Sequence, residues 1–255
     1  MPTQDIGHIL DNWEFDPDEL NVRRIEGDDG EEKIQLRLDL GVLQMEWNGR
    51  PDGSRPHGFD NLLQFYQAEL AQSEDEEDFV LSAEDLRLIQ QESIQYYHRY
   101  LCLAELGEHE WVVRDTAHNL EVLEFVEEFA EDSESAWAFL QYYPYIQMMH
   151  TQAKVQLALE EERYSDGLDL IDRSIDSIHG FYEKWGIKEG KDTSREIRIL
   201  KEWRETVEEK KPLSKLEKLK SELEEAVRFE RYEEAAEIRD KLNELEESDV
   251  QESEK

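Results

Sequence analysis

LSKLEKLKSELEEAVRFERYEEAAEIRDKLNELEE, residues 213–247, carries two apolar stripes of the same spacing. Leu216, Leu219, Leu223 and Ala226 recur at 3-4-3 intervals, which places them on one face of a helix. Ala235, Ile238, Leu242 and Leu245 repeat the pattern. Between the stripes, Phe229-Glu230-Arg231-Tyr232 leaves room for a turn, and the paired Ala235-Ala236 allows two helices to approach closely. Pro212 ends whatever precedes, and Ser214 with Glu217 three residues later predicts a capping box. The stretch 212–247 therefore reads as an antiparallel helical hairpin. About 35 residues bury too little apolar surface to be stable alone. The hairpin must dock on another protein, pack on the rest of this chain, or form an ordinary coiled coil.

The positions Leu216, Leu219, Leu223, Ala226, Tyr232-Glu233, Ala235-Ala236, Ile238-Arg239-Asp240, Leu242 and Leu245 end in an A-A-x-[IL]-R-D-x-[IL]-x-x-L pattern. This resembles the UVR motif shared by the B and C subunits of the bacterial excision-repair nuclease. Similar segments occur in some Clp ATPases and in the activator of a protein arginine kinase. In those families the motif joins proteins together and does no chemistry. The resemblance covers about a seventh of the chain; helicase, nuclease and ATPase modules and paired-cysteine zinc sites are absent. It implies a non-catalytic protein–protein adaptor whose partner is another UVR-bearing protein or a second copy. The alternative is an accessory factor of nucleotide excision repair that contacts nuclease or helicase subunits and not DNA. The implied protein-binding residues are Leu219, Leu223, Phe229, Tyr232, Ala235, Ile238, Arg239, Asp240 and Leu242. The apolar ones would make the contact, and Arg239 and Asp240 would pair across it.

Composition narrows the partners. The 255 residues include 65 acidic and 29 basic side chains, a net charge of −36. Attraction to phosphate supplies most non-specific DNA affinity, so direct nucleic-acid binding is disfavoured. Even the hairpin is acidic, with 7 Lys/Arg against 12 Asp/Glu in residues 213–247. No apolar run approaches the ~18 residues of a membrane span, and the N-terminus has no basic-then-apolar leader pattern. The single cysteine, Cys102, permits no internal disulfide and no cysteine zinc knuckle. A cytoplasmic protein without a cofactor is expected.

The fold class expected is mostly α, with a small N-terminal antiparallel sheet, a body of helical hairpins and the C-terminal hairpin. The corresponding segments are 1–60 (β-containing), 61–80 (acidic linker), 81–211 (helical body), 212–247 (hairpin) and 248–255 (disordered tail). Val22–Ile25 is a strand candidate followed by a Gly-Asp-Asp-Gly turn. Ile34, Leu36, Leu38 and Leu40 alternate with Gln35, Arg37 and Asp39, the period of a half-buried strand. Parity flips after Gly41 to Leu43, Met45 and Trp47, a bulge or a tight hairpin. Helices are expected from Ser82 to Leu106, Glu110 to Ala130, Ser135 to Glu161 with a kink near Pro144, and Tyr164 to Trp185. Thr193 and Glu196 predict a capping box for one more. The joints 103–113 and 157–168 resemble tetratricopeptide corners, best at Tyr164, Gly167, Ile171 and Ser174. They lie 55 residues apart (109 to 164), so only the architecture carries over. Stacked helical hairpins usually offer a surface to another protein.

Little in the chain suggests chemistry. The loop Gly49–Gly58 gathers Arg50, Arg55 and His57, an anion contact or a turn leading out of the sheet. His98 and Cys102 share a helix face without a second ligand pair, and read as core. Trp137, Phe139, Tyr142, Tyr143, Tyr145, Met148 and Met149 read as core, or as the lining of a ligand groove. No nucleophile elbow, P-loop, dinucleotide or zincin motif is present. The expectation is no catalytic residue and no metal.

Overall fold

The structure, a computed structural model, describes residues 5–11, 13–73, 79–187, 194–212 and 215–253, with side chains left undescribed at 215–217, 220–221 and 243–253. The chain divides into two compact units, Met1–Val207 and Glu208–Lys255. The division falls a few residues before the expected boundary at Pro212, within a helix (Arg195–Lys210).

After a short turn of helix, α1 (Gly7–Leu10), the first unit builds an antiparallel meander. Strands β1 (Val22–Glu26), β2 (Glu32–Leu38) and β3 (Gly41–Glu46) pair in that order. Leu38 pairs with Gly41, so the parity slip is a tight hairpin with Asp39 and Leu40 at its tip. Leu40, expected in the half-buried stripe, is therefore 94% exposed. Ile34, Leu36, Met45 and Trp47 do face inward, against Tyr100, Leu103 and Val112.

The second face of β2 is also covered, which alternation alone does not reveal. Arg23 lies 3.9 Å over the Trp13 ring and donates to the Ile9 carbonyl, and Arg37 donates to the Leu10 carbonyl. Gln35 bridges Arg23 and Gln44, and Lys33 pairs with Asp29 and Glu46. Ile9, Leu10 and Trp13 thus lie over the sheet, and each of these four polar side chains makes at least one hydrogen bond or ion pair, as burial requires.

Within the segment expected as an acidic linker, Leu62–Gln72 forms helix α2. Asn61 caps it by accepting from the Gln64 N–H, and Leu62, Leu63 and Tyr66 are buried. Residues 62–72 are therefore helix and not linker: an apolar face three turns long suffices to join them to the body core. Of the SEDEED run, residues 74–78 lie outside the described residues.

The body follows as α3 (Ala83–Glu105), α4 (His109–Phe129), α5 (Ser133–Leu140), α6 (Tyr143–Glu160), α7 (Tyr164–Lys184) and α8 (Arg195–Lys210). Ser82 and Asp85 make the reciprocal capping box that opens α3. The helix expected over 135–161 is two. Asp132 caps α5, and Pro144 sits in the first turn of α6, where a missing N–H costs nothing. At the start of α8 it is Ser194 that accepts from the Ile197 N–H; Thr193 lies outside the described residues.

Successive body helices pack as neighbours, α3 on α4, α4 on α6 and α6 on α7. The α6–α7 corner closes with Arg163 N–H on the Ala158 carbonyl and Glu162 N–H on Leu159. This paired capping pattern puts Glu162 at φ 58°, a conformation that favours glycine. A Cβ on Gly167 would stand 3.3 Å from the Val155 side chain, so a small residue is needed where α6 and α7 meet. Gly107 closes the α3–α4 corner in the same way at φ 74°.

Candidate protein-binding hairpin

In the second unit, α9 (Lys215–Arg228) and α10 (Tyr232–Ser253) lie antiparallel. Ala226, Ala235, Ile238 and Leu242 are buried together, with Leu219 and Leu223 half-buried against them. The two stripes have filled each other. Ala235, Ile238 and Leu242, expected to meet a partner, are therefore the hairpin's own seam. Stripes of matching spacing on adjacent helices satisfy one another before any second molecule does. The Leu216 and Leu245 side chains, and Ser214 and Glu217 of the expected cap, fall outside what is described. The backbone of α10 continues as helix to Ser253, correcting the disordered tail expected from 248; neither Gly nor Pro interrupts it.

The turn is the same paired cap seen at Glu162. Arg231 N–H meets the Ala226 carbonyl at 2.8 Å, and Glu230 N–H meets that of Val227 at 3.0 Å. Glu230 sits at φ 58°. In both corners the sequence is Glu-Arg-Tyr followed three residues after the Tyr by a small residue, Gly167 or Ala235. Both arginines pair three residues on, Arg163 with Asp166 and Arg231 with Glu234, each at 2.8 Å.

One difference separates the two corners. Tyr164 packs at the edge of a core formed with α8, whereas Tyr232 is 67% exposed. Val227 and Phe229 are also exposed, at 52% and 60%. The guanidinium carbons of Arg228 and Arg231 stand 5.9 and 5.7 Å from the Phe229 ring centre. The closed end of the hairpin is thus an apolar tip with two cations beside it. Arg239 and Asp240 are both exposed and lie 3.4 Å from each other. In the single chain they make a local pair on α10.

Of the expected protein-binding residues, Phe229 and Tyr232 are those that present apolar surface. Val227, an apolar residue one position off the stripe, is exposed as well.

The other expected site resolves into internal contacts. Arg50 is almost enclosed, with its Nε 2.8 Å from the buried Glu92 carboxylate, and it also pairs with Asp52 and Ser54. Glu92 in turn accepts the Leu62 N–H through both oxygens at 3.0 Å. The anion that Arg50 meets is the protein's own, and the contact fixes the loop and the start of α2. Arg55 pairs with Asp60, and His57 stacks on Phe65 at 4.0 Å. Beside this lies a second buried tie, with Arg99 on Asp115 at 2.6 and 2.9 Å and on the Glu46 and Gly49 carbonyls. Cys102 is fully buried, and burial pushes its thiol up to about 12, which leaves it unreactive.

Residues 214–248 match the family model of the UvrB/uvrC motif, UVR. The motif is known from excision-repair proteins and mediates protein interactions. No curated protein and no solved structure matches the chain. Among the described residues, no helix is long and apolar enough to cross a membrane.

Proposed function

We propose that this protein is a cytoplasmic, non-catalytic adaptor that captures another protein through the closed end of its UVR-type hairpin. The observation that supports it is the exposed Val227, Phe229 and Tyr232 tip on a hairpin whose seam is already full. Exposed aromatics flanked by arginine are the residue types that dominate protein contacts. The favoured partner is a second UVR-bearing protein or another copy of this chain. The UVR match also supports a second reading, an accessory factor that contacts nuclease or helicase subunits of excision repair without touching DNA.

The test keeps the full chain and replaces Phe229 and Tyr232 by Ser. Light scattering would follow self-association, and titration with purified excision-repair B and C subunits would follow partner capture. Loss of either complex by about tenfold or more, with helix content unchanged, supports the reading. Unchanged association in both assays sinks it.

A further inference from the structure

The body holds a cleft that the hairpin does not account for. It has a volume of about 460 Å³, inside the range of ~300–1,000 Å³ typical of small-molecule sites. Residues of α3, α4, α5 and α6, with Tyr142 just before α6, line it. Leu123, Phe139 and Ile146 form apolar wall, and Tyr97, Tyr100 and Tyr145 form an aromatic corner. Within that corner Tyr97 meets Tyr100 edge-on at 5.5 Å and lies 6.2 Å from Tyr145. Ile94 and Tyr142, each about half exposed, stand at the rim.

Two features define what the cleft would take. No lining residue is Asp, Glu, Lys or Arg, in a chain that carries a net charge of −36. Apart from the His98 imidazole, no lining group could offset an ion buried there, so the complement in charge is a neutral molecule. The second feature is Asn119, a lining residue only 3% exposed. Its Nδ2 donates to the Ser93 carbonyl at 3.1 Å, while its Oδ1 has no partner among the described residues. That bond fixes which end of the amide is the acceptor. A buried acceptor without a partner is costly, and a ligand N–H or O–H would remove the cost.

We infer that this cleft binds a small, uncharged, flat aromatic molecule that donates one hydrogen bond to Asn119. The tyrosine rings supply faces and edges for stacking, and the amide oxygen selects for a donor. The site is independent of the hairpin and stands whether or not the adaptor reading holds.

Indole and benzofuran test it, because they match in size and shape and differ in the N–H. Each is titrated into the full-length protein and followed by ligand-observed NMR. Indole should bind saturably and benzofuran about tenfold more weakly, the scale of one unsatisfied buried acceptor. Asn119→Leu should bring the two within about twofold. Ile94→Trp, at the exposed rim, should fill the cleft and weaken indole about tenfold. Equal affinity of the two probes for the unaltered protein, or no saturable indole binding, overturns the inference, and this comparison needs no variant to fold. Unchanged indole binding in Ile94→Trp also overturns it, since the ligand then sits elsewhere.

Discussion

Arg99 has no access to water, yet its guanidinium makes four hydrogen bonds, two to Asp115 and two to backbone carbonyls at the end of β3. Removing Arg99 leaves the buried Asp115 with only the partly exposed Arg114, 2.7 Å away, as its cation, and removing both members of the buried pair avoids that cost. Arg99→Met should cost about 3–5 kcal/mol in urea unfolding, whereas Arg99→Met with Asp115→Leu should recover at least half of it. His150 is the other buried polar group with a consequence. It lies 2.8 Å from the Thr116 hydroxyl, and burial, aided by Lys154, pushes it down to about 4 from its usual 6.5. The unfolded chain therefore takes up this proton near pH 6.5 and the folded chain only near pH 4. Its stabilisation is fully present above 6.5 and is lost as pH falls toward 4. Between pH 7 and 5 the loss should be about 1–2 kcal/mol, and His150→Gln should remove that part of the slope in chemical denaturation at each pH.

At the scale of the element, the hairpin separates cohesion from exposure. Ile238 and Leu242 are buried against α9, while Phe229 and Tyr232 are mostly exposed. Ile238→Asp places a charge in a seam with no partner for it, and should unfold α9 and α10 locally at a cost of about 3 kcal/mol or more. Circular dichroism should then show the loss of roughly two helices while the cooperative melt of residues 1–207 persists. A melt that falls as a whole would mean that the hairpin is structural. The Glu162 and Glu230 corners show the same economy of design. One paired cap turns the chain in both places, and what differs is whether an α8 follows to cover the tyrosine.

The whole molecule is dominated by its charge. With a net charge of −36, and with Arg50, Arg55 and Arg99 paired to the chain's own carboxylates, the chain as a whole repels phosphate. Binding to duplex or single-stranded DNA at about 150 mM salt should be weaker than the ~10⁻⁴–10⁻⁶ M of ordinary non-specific binders. A fluorescence titration giving sub-micromolar affinity would refute this and favour a direct role at DNA.

Much of the architecture follows from local patterning. Two 3-4-3 stripes made the hairpin, alternation around Ile34 and Leu36 made β2, and Ser82 with Asp85 opened α3. Each of these signals spans a turn of helix or a few residues of strand, the range over which the chain's own periodicity acts. What tertiary structure decided is which face meets what. Arg50 met Glu92, Arg99 met the Gly49 carbonyl 50 residues away, and Ile9, Leu10 and Trp13 covered the second face of the sheet. The seam took Ile238 and Leu242 and left the tip exposed. Periodicity fixes the direction in which a side chain points along its own element. The group that covers it comes from elements distant in sequence, and only packing brings those together.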